Sequence, residues 1–78
     1  MMESRIGELA GRIWNYLNTK GEVSYAMLRR DVVGDDSAMP DVMLSSAIGW
    51  LCREQKVKLH ESGTGRGYRI RVSLMNMN

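Results

Sequence analysis

The segment from Asp41 to Val57, DVMLSSAIGWLCREQKV, constrains the fold more than any other part of the chain. Wound at about 100° per residue, it gathers Leu44, Ala47, Ile48 and Leu51 into one stripe, with Met43, Trp50 and Cys52 flanking it. A stripe of that width is a core face. The opposite face collects Val42, Ser45, Ser46 and Gly49, and Arg53 stands at its far end. Pro40, just upstream, suits a first helical turn, where its missing N–H leaves no bond unmade. At Val57-Lys58-Leu59-His60 the apolar period changes from helical to alternating. A helix is therefore expected to pass almost without a loop into a strand.

Length and composition bound what can be built around that join. At 78 residues the chain is one domain at most and buries roughly 60–65% of its unfolded surface. Its 44% hydrophobic and 26% charged content is that of a globular protein, and no run approaches the ~18 apolar residues of a membrane span. The first twelve residues, MMESRIGELAGR, lack the apolar core of an export signal, so a cytoplasmic location is expected. One cysteine, Cys52, and one histidine, His60, supply neither a disulfide framework nor a usual zinc ligand set, so no metal and no cofactor are expected. Net charge is only +2, but Lys56, Lys58, Arg66, Arg69 and Arg71 face Glu61 alone in the C-terminal third. A local patch of that sign is suited to phosphate.

Upstream of the central segment, Ser4 is placed to cap a helix from about Arg5 to Asn18, in which Ile6, Leu9, Ala10, Ile13 and Leu17 recur at helical spacing. Trp14 and Tyr16 sit at the two edges of that face. Gly7 and Gly11, four apart on the flank of Trp14, each cost roughly 1 kcal/mol against alanine in a helix interior, a cost that close approach of another element would offset. Lys20-Gly21 ends the helix, Glu22-Val23 can add a short strand, and Ser24 is a good cap for a second helix. In that helix Tyr25, Leu28 and Val32 turn inward, Arg29, Arg30 and Asp31 turn outward, and Gly34 closes it ahead of the polar turn Asp35-Asp36-Ser37. Downstream, Val57 and Leu59 alternate with Lys58 and His60, and Tyr68, Ile70 and Val72 alternate with Arg69 and Arg71. The glycines between Ser62 and Gly67 permit a hairpin tip. Apolar residues of both strands are expected to face the helices and cations to face water. The tail from Leu74 to Asn78 has no period and is expected to fray.

This order of elements is that of an α+β winged helix-turn-helix: three helices, a two-stranded C-terminal wing, and a short third strand near Glu22-Val23. Two blocks also resemble a family of small stand-alone winged helix-turn-helix domains of bacteria and archaea, whose function is largely uncharacterised. They are Ile6-Gly7-x-x-Ala10-Gly11-x-Ile13-Trp14-x-x-Leu17 and Ala47-Ile48-Gly49-Trp50-Leu51-x-Arg53-Glu54-x-Lys56-Val57. The family usually has alanine at the position of Cys52, and the loop from Val33 to Pro40 is longer and more acidic here. The resemblance implies the fold and, as a class expectation, nucleic-acid binding; a small DNA-binding or transcription-associated protein is the function expected.

The residues themselves qualify that expectation. A base-reading helix offers arginine, lysine, asparagine or glutamine, whereas this one offers Ser45 and Ser46 with Arg53 at its end. Asp35, Asp36 and Asp41 near its start oppose a phosphate. The basic wing is the better candidate for duplex DNA, through Lys58, Arg66, Arg69 and Arg71, although exposed strands also carry cations to stay soluble and to block edge pairing. The alternative is a module for homodimerisation or for another protein partner, using Val42, Gly49 and Trp50. Trp14 and Trp50 are expected in or near the core; if either is exposed beside Gly11 or Gly49, a small-residue groove rimmed by an aromatic results. The glycine-rich loop is followed by a strand and not by the helix a phosphate cradle needs. His60 and Glu61 point to opposite faces of a strand, Cys52 is a small core residue, and no enzymatic activity is expected.

Overall fold

The computed structural model describes residues 2–34, 39–63 and 69–75. Helix α1 spans Met2–Lys20, strand β1 Val23–Ser24, and helix α2 Tyr25–Leu28, which runs on into a π-helical turn at Arg29–Val33. Helix α3 spans Pro40–Arg53, and strands β2 and β3 span Val57–Ser62 and Arg69–Leu74. The expected order of elements holds, third strand included. Helix α1 begins before the expected Arg5, so Ser4 lies inside its first turn and is not its cap. Met2 and Glu3 are good helix formers and nothing before Ser4 breaks the winding. At its other end α1 stops at Gly21, which takes φ 83° and donates its N–H to the Leu17 carbonyl at 2.8 Å.

Helix α2 starts as the sequence expects. The Ser24 hydroxyl accepts the Met27 N–H at 3.1 Å, satisfying one of the orphan donors of the first turn. Widening into a π turn is marked by the Gly34 N–H reaching back to the Arg29 carbonyl at 3.0 Å. Arg12 of α1 donates to the Val32 carbonyl, so that turn is tied to the first helix. Arg29, expected to point outward, is half-buried: its Nη1 donates to the Gly34 carbonyl at 2.9 Å and its Nε to Asp41 Oδ1 at 3.1 Å. Pro40 occupies the first turn of α3. That helix ends in a Schellman arrangement without glycine, in which Lys56 N–H reaches the Leu51 carbonyl at 2.8 Å and Gln55 N–H the Cys52 carbonyl at 3.0 Å. Gln55 itself takes φ 59°.

The sheet order is β1-β3-β2, antiparallel throughout. Val23 pairs with Val72, and Val72 with Leu59. The core joins Leu9, Ala10, Ile13 and Leu17 of α1, Leu28 and Val32, the α3 stripe Met43, Leu44, Ala47, Ile48 and Leu51, and Val23, Val57 and Val72 of the sheet. Leu59, expected to be covered, is exposed. It lies on the edge strand β2, at the end of a row whose other members, Val72 and Val23, are buried. Conversely Leu74, expected to fray, pairs with Val57 and is half-buried, and the Met75 N–H bonds the Lys56 carbonyl at 2.8 Å.

Neither tryptophan belongs to the core: Trp14 is 38% exposed and Trp50 42%. Trp50 lies against α1 at Gly7, where an added Cβ would stand 3.1 Å from its Cη2 atom and 3.2 Å from Cζ3. The close approach expected of the glycine pair is thus made at Gly7 alone. At Gly11 and at Gly49 an added Cβ would meet no heavy atom within 4 Å among the described residues.

Candidate nucleic-acid interface

Pairing of the two wing strands fixes which side chains share a face. Lys58 stands opposite Ser73, His60 opposite Arg71, and Ser62 opposite Arg69. Since alternate residues of a strand share a face, these six form one outer surface, while Val57, Leu59, Ile70, Val72 and Leu74 take the other. Lys58, Arg69 and Arg71, which alternation places together on the outer face of the wing, share one surface in this register. All three are exposed. Arg66 lies outside the described residues.

The three differ in what holds them. Arg71 Nε donates to Glu22 Oε2 at 2.8 Å. The other oxygen of that carboxylate, Oε1, lies 3.5 Å from His60 Nε2. Lys58 and Arg69 make no ion pair or side-chain hydrogen bond among the described residues. Arg69 also borders a groove with Ser24, Tyr25, Ala26, Arg29, Asp41 and Ile70, which carries the wing surface up to the start of α2 and α3. Glu22 is the residue that sequence reasoning missed. Alternation with the inward Val23 turns Glu22 outward, but only the pairing of β1 with β3 sets it beside the wing cations.

On α3 the picture is poorer in reading groups. Ser45 is engaged by Tyr25, the two hydroxyls standing 2.8 Å apart. Ser46 is half-buried, while Val42, Gly49 and Arg53 are exposed. Asp41 near the start of the helix is held by Arg29, which offsets part of its charge; Asp35 and Asp36 lie outside the described residues. This face presents apolar surface, a bare backbone position and one terminal cation.

A Ser–His–Glu grouping on the outer face invites a catalytic reading, since His60 Nε2 also meets Ser73 Oγ at 3.1 Å. In a triad the base contacts nucleophile and acid through different ring nitrogens. Here both contacts fall on Nε2, so proton transfer from serine to carboxylate through the ring has no route. Among the described residues there is no group of His, Cys, Asp or Glu side chains placed to hold a metal, and no helix long and apolar enough to cross a membrane.

Two further features lie away from the wing. Tyr16 of α1 donates to Asp31 Oδ2 at 2.7 Å, and Arg30 grips the same carboxylate from Nε and Nη2 at 2.7 and 3.0 Å. The Arg30 bonds, then that of Tyr16, hold the Asp31 carboxyl down at about 2, while Asp31 in turn pushes the Tyr16 phenol up. Between α1 and the end of α3, Trp14 and Trp50 rim an open groove with Ala10, Gly11 and Leu51 along it and Glu54 and Lys56 at its margin.

Comparison with known proteins agrees with this architecture. No curated protein and no solved structure matches the chain. The family model described as "Winged helix-turn-helix domain (DUF2582)" matches residues 1–67, which include all three helices and β2 and stop just short of β3. With that match, three helices and a three-stranded antiparallel sheet, the chain belongs to this winged helix-turn-helix family.

Proposed function

We propose that the protein binds duplex DNA weakly and with little sequence preference, through phosphate contacts from the outer face of the wing, as a small cytoplasmic, transcription-associated protein without catalytic activity. Family membership supports nucleic acid as the class of partner. The observation that carries the reading is that Lys58 and Arg69 stand exposed on one sheet face with no intramolecular partner among the described residues, while α3 offers a base edge only Arg53 at its far end, a half-buried Ser46 and a Ser45 engaged by Tyr25. Arg66 extends the same patch in sequence. Contacts of this kind position a protein on the duplex without reading it. Titrations of two duplexes of unrelated sequence should give matching affinities, both falling steeply as salt is raised. A single sequence bound far more tightly than the rest would overturn this reading.

A second reading draws on the two exposed tryptophans. An apolar groove bordered by Trp14, Trp50 and the open Gly11 is the kind of surface that a protein partner, including a second copy of the chain, covers. Val42, Gly49 and Trp50 would contribute from α3. Sedimentation showing one monomeric species up to millimolar protein would remove the homodimer.

A further inference from the structure

We propose that Glu22 is an intramolecular stand-in for a phosphate group, occupying Arg71 and keeping it from contributing to nucleic-acid binding. The inference rests on the DNA reading above and assigns a regulating residue to the same surface. Glu22 directs both oxygens at the wing: Oε2 takes Arg71 Nε at 2.8 Å, and Oε1 lies 3.5 Å from His60 Nε2. Arg71 and His60 are cross-strand partners on the face that also carries Lys58 and Arg69. A phosphodiester offers the same pair of anionic oxygens to a guanidinium. The carboxylate thus lies where a DNA phosphate would have to sit to use Arg71.

The pair is accessible. Side-chain exposure is 43% for Glu22, 49% for Arg71 and 45% for His60, so an incoming phosphate reaches it without unfolding the sheet. Ion pairs this exposed contribute little to stability, so they are readily exchanged or removed. An approaching phosphate nevertheless meets the negative charge of Glu22 before it gains Arg71. The consequence is a wing whose central cation is silent, with binding left to Lys58 and Arg69.

The test is a double-substitution cycle read by salt dependence. Duplex affinity is measured from about 20 mM salt upward for the unmodified protein, Glu22→Gln, Arg71→Gln and the double variant, with Glu8→Gln on α1 as a control of equal charge change. Glu22→Gln should tighten binding and steepen the slope of log affinity against log salt by about 0.9, the value of one added phosphate contact. Arg71→Gln alone should leave the slope unchanged, but in the Glu22→Gln background it should remove the whole gain. Glu8→Gln should leave the slope where it was. If Arg71→Gln alone flattens the slope by about 0.9, or Glu22→Gln leaves it unaltered while the unmodified protein binds, the inference falls and the DNA reading stands. If only the Glu22→Gln protein binds, the inference is supported in its strongest form. Should neither bind at the lowest salt, both fall together.

Discussion

The six-membered ring of Trp50 rests on the backbone of Gly7, so close that a methyl group there would come within 3.1 Å of it. At that point α3 meets α1 through the Trp50 ring alone, with no side chain from α1 beneath it. Four residues on, Gly11 has open space where its side chain would be. Two glycines that look equivalent in sequence therefore have opposite standing in the fold.

Substitution by alanine should separate them. Gly11→Ala adds helix propensity without a clash and should stabilise the protein by up to about 1 kcal/mol. Gly7→Ala has the same propensity gain but must shift the Trp50 ring by a few tenths of an ångström, so its gain should be smaller or reversed. Unfolding midpoints in denaturant compare the two directly, and a Gly7→Ala protein at least as stable as Gly11→Ala would contradict the packing described.

The end of α3 offers a stabilising change. Gln55 holds φ 59° in the position where a Schellman arrangement favours glycine, and a side chain there costs about 1 kcal/mol. Gln55→Gly should therefore raise the unfolding free energy by somewhat less than that, because glycine also frees the unfolded chain. A lowered midpoint would show that the Gln55 side chain contributes something its backbone conformation does not reveal.

The Asp31 cluster predicts an acid limb. Its folded carboxyl titrates at about 2, below the ordinary value near 4, because Arg30 and Tyr16 bond the charged form. A carboxyl depressed on folding contributes stability that is full above its unfolded value and is lost as pH falls through the folded one. Stability should therefore decline between about pH 4 and pH 2, and Asp31→Asn should flatten that part of the profile. Thermal midpoints across this range provide the check; identical slopes for the two proteins would exclude the cluster as a source.

Much of the fold was legible because its signals are local. The change of period at Val57, the cap at Ser24, the proline at the start of α3 and the alternation around Ile70 each lie within a few residues of the feature they specify. Misreadings arose where a distant element decides. Trp50 sits at the edge of the α3 stripe, and whether an edge is covered depends on what α1 presents at Gly7, some forty residues away. Leu59 has the same alternation as Val57 but is exposed on the edge strand, although its neighbour across the row, Val72, is covered. On the candidate site, the outer face of Lys58, Arg69 and Arg71 followed from alternation alone, whereas the Glu22–Arg71 pair needed the knowledge that β1 pairs with β3. Gln55 carried no signal at all, since the positive φ it adopts is usually announced by glycine.

The central claim is that the wing, and not α3, meets DNA, and the salt dependence of binding tests it most directly. Lys58→Gln and Arg69→Gln should each lower the slope of log affinity against log salt by about 0.9 and weaken all duplex sequences alike, whereas Val42→Ala and Ser46→Ala should change little. Reversal of that order, with α3 substitutions altering preference among sequences while the wing variants keep the full slope, would contradict the account. So would the absence of duplex binding by both the unmodified and the Glu22→Gln protein at about 20 mM salt, where basic surfaces bind most readily.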